Sequence, residues 1–282
     1  MIGVLSQEDF EVSHLCEVLE VSRSAYYDWK TASPNLYEQQ DGRLGPLVRD
    51  VFHQHRRRYG ARRISRELQE RGEPCSRSKV RKIMAQMNLV AIGPKSFKPR
   101  TTESKHTLGY SPNLLLEGVH VDRLNQVWVG DITYVALQNK FTYLAMLMDL
   151  FSRKIVGWSL DLNMEAPLVT QALKIALGQR QPAVGLIHHT DRGGQYAANE
   201  YRRLLVHGGM QQSMSRAGDC YDNAFMESCF GTIKTELEMS TYQSYEEARQ
   251  EIQEYINYYN CLRRHSSIDY LSPNRFELAC SS

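Results

Sequence analysis

The sequence has no Cys-x-x-Cys pair. Its six cysteines, at positions 16, 75, 220, 229, 261 and 280, are scattered through 282 residues. That pattern excludes a zinc ribbon and a disulfide framework and fits the reduced thiols of a cytosolic protein. No apolar run approaches the roughly 18 residues a bilayer span needs, so no membrane partner is expected. The opening MIGVLSQEDF lacks a basic stretch followed by an apolar one, so no secretory leader is expected and a cytoplasmic location is. Internal repeats, low-complexity tracts and leucine-zipper heptads are also missing. With 42% hydrophobic and 23% charged residues, the chain can bury a sizeable core divided among two or three domains.

A large net charge is missing too, the formal value being +2. Its distribution is uneven, however. Residues 53–100 hold 14 Lys and Arg against 3 Asp and Glu, a local +11 that leaves the remainder at −9. Taken alone, such a run also suits a solvated basic face. Joined to an acidic block, it suggests that one part holds nucleic acid and another holds metal or does chemistry.

Residues 1–40 read as a small helical segment resembling a helix-turn-helix. Val12, Leu15, Cys16 and Leu19 recur at helical spacing, and Ser22 can N-cap a second helix through Tyr26 and Trp29. Ser33-Pro34-Asn35 then breaks the pattern. Residues 41–92 read as a basic helix-turn-helix DNA-binding domain. Ile64 and Leu68 mark one helix, Gly72 fits its C-terminal cap, and Ser76 fits the N-cap of the next. That next helix sets Val80, Ile83, Met84 and Met87 on one face and Arg77, Lys79, Arg81 and Lys82 away from it, as a recognition helix would. Residues 93–125 read as a basic, proline-punctuated, extended linker able to track a DNA backbone.

From residue 126 to 282 the texture becomes α/β. VWVGDITYVAL, FTYLAMLMD and KIVGWSLD read as three strands in a meander, followed by a helix, a short strand GLIHHTD, a helix, a strand MQQSMS and late helices. The order β-β-β-α-β-α-β-α is that of a ribonuclease-H-like domain, a mixed five-stranded sheet flanked by helices. In that topology strands one and four are neighbours. Asp131 on the first strand and Asp191 at the end of the fourth then converge, 60 residues apart in sequence, while Glu227 opens a late helix after 35 intervening residues. Hard divalent cations take oxygen ligands, so three carboxylates on separate elements can hold Mg²⁺, or Mn²⁺, as two ions for phosphodiester chemistry. Gly193-Gly194 allow close backbone approach. Asn223 lies one turn before Glu227, and Lys234, seven residues after it, shares its face and suits a phosphate contact. Asp149 reads as a structural or supporting acid, and His189 as a core or supporting residue near the site.

The motifs WVGDITY, MDLFSRKIVGW, HHTDRGGQY, SMSRAGDCYDNAFMESCFGTIKTE and YYNCLRRHSSIDYLSPNRFE, with VSRSAYYDWK and RRYGARRISRELQERG, span nearly the whole chain. Together they resemble the transposases of bacterial insertion-sequence family three, the product of the second reading frame, which is akin to retroviral integrases. The resemblance implies a catalytic triad at Asp131, Asp191 and Glu227 and a DNA-end contact at Lys234. It implies Mg²⁺-dependent cleavage by water and then strand transfer by the freed 3′-hydroxyl, acting on the terminal repeats of the element and on target DNA. It also implies a homo-oligomer on DNA and an upstream-frame protein or fusion that carries further end-recognition elements. Tyr259, Asn260, Arg263 and His265 match the terminal signature, where Arg263 and Arg264 on a helix end suit a face toward DNA. Two other readings stand beside it: a ribonuclease-H-like nuclease or domesticated recombinase with the same site, and a non-catalytic DNA-binding modulator of the full-length fusion.

Overall fold

Serine caps and apolar stripes set the N-terminal helices. The structure, a computed structural model, describes residues 11–31, 36–93, 109–115, 119–215, 224–238 and 241–281, with backbone alone at 36–41, 224, 225 and 227. It divides into two compact units, residues 1–56 with 60–90, and residues 57–59 with 91–282.

In the first unit, α1 (Val12–Val18) and α2 (Arg23–Thr31) form the expected helical pair. Ser22 accepts a hydrogen bond at its Oγ from the Ala25 N–H at 3.1 Å, and Leu15, Cys16 and Tyr26 are buried between the helices. Trp29 instead points outward, 68% exposed. The helix α3 (Leu36–Gln54) crosses residues 40 and 41, where a domain boundary was expected. It buries Leu44, Val48, Val51 and Phe52, and packs against α4 (Ala61–Glu70) and α5 (Arg77–Gln86). These contribute Ile64 and Leu68, and Val80, Ile83 and Met84. Gly72 follows α4 with φ +77°, the left-handed turn residue the sequence predicts, and the Glu73 N–H closes the turn on the Leu68 carbonyl at 2.9 Å. Ser76 caps α5 by accepting from the Lys79 N–H at 3.2 Å. Arg77, Arg81 and Lys82 lie on exposed surface of α5, with Lys79 half-buried beside them.

The second unit is built on a five-stranded sheet of order β3-β2-β1-β4-β5. The strands β1 (Val127–Ala136), β2 (Phe141–Asp149) and β3 (Ile155–Asp161) form the antiparallel meander. β4 (Ile187–Thr190) runs parallel to β1, and β5 (Gln211–Met214) parallel to β4. This is the expected ribonuclease-H-like order. One face is covered by α6 (Ala166–Arg180), α7 (Gly194–Ala197) and α8 (Asn199–His207), around Trp128, Ala145, Leu147 and Tyr201. Gly157 of β3 permits the close seating of α6, since a Cβ there would stand 2.3 Å from the Ala172 carbonyl oxygen. The other face, with Val127, Val129, Met146 and Met148, is covered by α9 (Ala224–Glu236) and α10 (Tyr245–Cys261). A last helix, α11 (Pro273–Cys280), follows.

The described part of the expected linker belongs to this unit and does not run as a detached strap. The Met214 N–H donates to the Pro112 carbonyl at 3.2 Å, the Leu114 N–H to Ser213 Oγ at 2.9 Å, and Ser111 Oγ to Gln212 Oε1 at 2.8 Å. The segment thus covers the outer edge of β5, satisfying backbone groups that an open sheet edge would leave exposed. Leu115, Val119 and Val121 pack on the core behind it. The tripeptide Arg57–Tyr59 also packs in this unit: the Tyr59 hydroxyl donates to the Leu262 carbonyl at 3.1 Å and accepts from the Arg264 N–H at 2.9 Å.

Candidate metal centre and nucleic-acid interface

Asp131 and Asp191 come together through strand register. In the parallel ladder Trp128 pairs with His188 and Val129 with His189. Each aspartate follows two residues after the Val129–His189 pair, Asp131 within β1 and Asp191 one residue past the end of β4, so both lie at the same end of the sheet. Neighbouring strands run about 4.8 Å apart. Across the other ladder Asp131 faces Met146, a residue of the side covered by α9 and α10. Both aspartates are half-buried. Asp131 Oδ1 accepts from the Ile132 N–H at 2.8 Å, and Asp191 Oδ1 from the Gly193 N–H at 2.9 Å. Local backbone therefore orients each carboxylate before any ligand arrives.

Gly193 leaves room beside the Asp191 carboxylate. A Cβ there would lie 2.8 Å from Gln195 Oε1 and 3.0 Å from Asp191 Oδ1. Gly130, between Val129 and Asp131, similarly makes room for His188, whose Cε1 would lie 2.9 Å from a Cβ. His188 is fully buried on the opposite side, with Nε2 2.6 Å from the Tyr201 hydroxyl. Burial, with His189 adding to it, lowers its pKa to about 3, so the ring is neutral at physiological pH. The neighbouring Tyr196 is buried, and its phenol is raised well above its ordinary value, first by burial and then by Asp131, Tyr201 and Asp191.

The helix α9 covers this side by burying Met226, Cys229, Phe230 and Ile233. Glu227 is its fourth residue, placed by its backbone in the first turn, where the helix dipole favours negative charge. Lys234 ties the helix to β1. Its Nζ stands 4.3 Å from the centre of the Tyr134 ring; burial lowers its pKa and Asp131 raises it. Tyr134 itself is braced edge-on by Phe141, with ring centres 5.4 Å apart. Only the motif WVGDITY marked Tyr134 in the sequence. Among the described side chains Asp131 and Asp191 are the carboxylates brought together at this end of the sheet. The donor set, hard oxygens with nearby His189 tied through Nδ1 to Ser213 Oγ at 2.8 Å, suits Mg²⁺ or Mn²⁺. Asn223 lies outside the described residues.

Of two further expected residues, Asp149 takes the structural of its two expected roles and Arg263 takes a different role from the one expected. Asp149 pairs with Trp128 across the ladder and therefore lies on the opposite side of the sheet from Asp131. Its Oδ1 accepts from the Phe151 and Ser152 N–H groups, both at 3.0 Å, its Oδ2 from the Asn125 N–H at 2.7 Å, and Arg180 Nη2 lies 3.6 Å away. It ties a turn together and does not support the carboxylate site. Arg263 is 4% exposed and gives a forked contact to Glu236, with Nε at 2.9 Å from Oε2 and Nη2 at 2.7 Å from Oε1. Arg264 is also buried, with Nη1 donating to the Tyr270 carbonyl at 3.0 Å. Neither guanidinium faces outward to meet DNA.

Comparison with known proteins finds family models and relatives along most of the chain. The description "Integrase core domain" matches residues 121–220, a second model so described matches 208–273, and "HTH-like domain" matches 39–97. The chain is 40% identical over 264 residues to the uncharacterized 31 kDa protein of insertion element IS600 from Shigella sonnei, covering 93% of this chain and 97% of that one. It is 42% identical to the transposase for IS904 of Lactococcus lactis, over 83% and 93% of the two chains. It is 37% identical to transposase InsF for insertion sequence IS3A of Escherichia coli K12, over 96% and 95%. Among solved structures, the HTLV-2 integrase catalytic core domain in complex with magnesium aligns at TM-score 0.43 and 16% identity, over 54% of this chain and 96% of that one. A simian T-cell lymphotropic virus intasome aligns at 0.47 and 16%, over 82% and 73%. The chain belongs to the transposases of bacterial insertion-sequence family three, integrase-core polynucleotidyl transferases of DNA transposition and integration.

Proposed function

We propose that Asp131, Asp191 and Glu227 form the metal-holding triad of this transposase and that it cleaves and rejoins the ends of its own element. The adjacency of β1 and β4, with Asp131 inside β1 and Asp191 directly after the end of β4, supports the reading. Bound there, two Mg²⁺ or Mn²⁺ ions would activate an oxygen nucleophile and stabilise the leaving oxygen. The chain's own residues do the rest. Local backbone N–H groups aim the two aspartates, and Lys234, held over Tyr134 beside Asp131, meets a scissile-strand phosphate. Water is the nucleophile in cleavage, and the freed 3′-hydroxyl is the nucleophile in joining.

Double-stranded DNA, as terminal repeat and as target, is the substrate. Arg77, Lys79, Arg81 and Lys82 on α5 give the helix-turn-helix a cationic surface for backbone phosphates, which supplies salt-sensitive affinity. Pairing two ends calls for more than one copy on DNA, and an upstream-frame partner or fusion supplies further end recognition. Among the described residues no helix is long and apolar enough to cross a membrane, and we place the protein in the bacterial cytoplasm, on the nucleoid when bound.

The test is strand cleavage and joining in Mg²⁺ or Mn²⁺ on labelled DNA bearing the ends that flank the coding sequence, with and without the upstream-frame protein. Joined product that disappears in both Asp131→Asn and Glu227→Gln is the expected result. Joined product that survives either substitution refutes the triad.

A further inference from the structure

The terminal signature, read from sequence as a DNA-facing helix end, does something else in the structure. On α9 the buried stripe of Met226, Cys229, Phe230 and Ile233 is flanked on one edge by the positions of Glu227 and Lys234 and on the other by Glu236, at about 100° per residue. Apolar packing is non-directional, so the stripe alone keeps one side of α9 down without fixing its rotation or its slide along the sheet. A slide of one residue would move Glu227 by about 1.5 Å along the axis and about 100° around it.

Directional contacts sit at the far end. Glu236 is buried, 7% exposed, and receives the Arg263 fork with Nε at 3.0 Å from Oε1 and Nη2 at 2.7 Å from the same oxygen. The Tyr255 hydroxyl donates to its Oε2 at 2.9 Å, and Arg58 Nε to its backbone carbonyl at 3.1 Å. Arg263 is held in turn by His265, whose Nε2 lies 3.1 Å from Nη1, and by the Tyr259 ring, 5.3 Å from its guanidinium carbon. Asn260 fixes the start of this segment to β3, accepting from the Ile155 N–H at 3.0 Å and donating to the Ile155 carbonyl at 2.9 Å. A planar, bidentate fork specifies orientation as well as energy.

The geometry points to a positioning role for the terminal signature: Arg263, with Tyr255 and Arg58, clamps Glu236 and so sets the rotation and axial position of α9 that put Glu227 at the carboxylate site. The inference rests on the metal-site reading above and adds to it residues that never touch metal or DNA.

The test uses the full chain with Arg263→Lys, which keeps the charge and loses the fork, and Tyr255→Phe, which loses one hydrogen bond. Readouts are circular dichroism, affinity for end DNA, Mn²⁺ affinity by electron paramagnetic resonance, single-turnover cleavage at saturating DNA, and amide hydrogen exchange of residues 224–236. For Arg263→Lys the expected result is parental fold and DNA affinity, with Mn²⁺ affinity down about tenfold. Cleavage falls about 100-fold, and exchange of 224–236 becomes faster. Tyr255→Phe shifts the last three readouts the same way by less. A folded Arg263→Lys with parental Mn²⁺ affinity, rate and exchange overturns the clamp. Loss of DNA affinity with a parental rate at saturation overturns it too, making Arg263 a DNA contact. If Arg263→Lys does not fold, Tyr255→Phe decides by the same criteria. If the parent binds no Mn²⁺ and cleaves nothing, the metal-site reading falls, while unchanged exchange in the folded variants still sinks the clamp.

Discussion

Gly193→Ala separates the support of a ligand from the support of the fold. Gly193 has φ −60° and ψ 138°, an extended conformation open to alanine, so the backbone carries no strain penalty. The added methyl meets Gln195 Oε1 at 2.8 Å and Asp191 Oδ1 at 3.0 Å. Gln195 is the end of a flexible side chain, but its Nε2 is held by the Met164 carbonyl at 2.9 Å, so part of the displacement falls on Asp191. A shift of a few tenths of an ångström is comparable with the ~0.5 Å tolerance of a catalytic constellation. Alanine also stiffens the unfolded chain, worth about 0.4–1 kcal/mol toward the folded state. Net stability therefore changes little, while Mg²⁺ affinity falls about tenfold. Thermal unfolding and a Mg²⁺ titration of strand cleavage read the two effects separately. An unchanged Mg²⁺ midpoint, or a large fall in Tm, would refute the reasoning.

Gly157→Ala should do the reverse. Its methyl would stand 2.3 Å from the Ala172 carbonyl oxygen and 2.8 Å from Ala176 Cβ. Forcing α6 off β3 costs about 1–3 kcal/mol, a fall in Tm of about 2–4 °C for each kcal/mol in a unit this size. Ser76→Ala removes the cap of α5 and should cost about 1 kcal/mol, seen as faster amide exchange in its first turn. Glu277 feels burial, which raises its pKa, and stronger hydrogen bonds from Arg180, Ser152 and Lys154, which bring it below the ordinary 4.5. A depressed carboxylate stabilises the fold above its unfolded pKa, and this is lost as pH falls through the folded value. The Tm advantage of the parent over Glu277→Gln should accordingly be full near neutrality and shrink as pH falls below about 4.5; an advantage that does not shrink on acidification would count against it.

The parts of this structure carried by local pattern were readable from the chain. Alternation and short turns foretold the meander, and the order of elements placed β4 beside β1, which brings Asp131 and Asp191 to the same end of the sheet. Ser22, Gly72 and Ser76 act within a few residues of themselves. Long-range pairing was not readable. Arg263 looks like a DNA contact until Glu236, 27 residues earlier, is found opposite it in the core. Asp149 has the look of a site acid because alternation alone does not say which side of the sheet it takes. Residues 109–115 read as linker because their partners are backbone and hydroxyl groups on β5 that composition does not reveal. The start of α3 was hidden by Pro34 and Asn35, which signal a break without saying how soon the next helix begins.

The measurement that bears most directly on the triad is a metal-specificity switch. Asp131→Cys replaces a hard carboxylate with a softer thiolate at one expected ligand, disfavouring Mg²⁺ more than Mn²⁺. With the DNA ends saturating, the account predicts that strand joining is lost in Mg²⁺ and returns in Mn²⁺. Joining by Asp131→Cys in Mg²⁺ at the parental rate would contradict it.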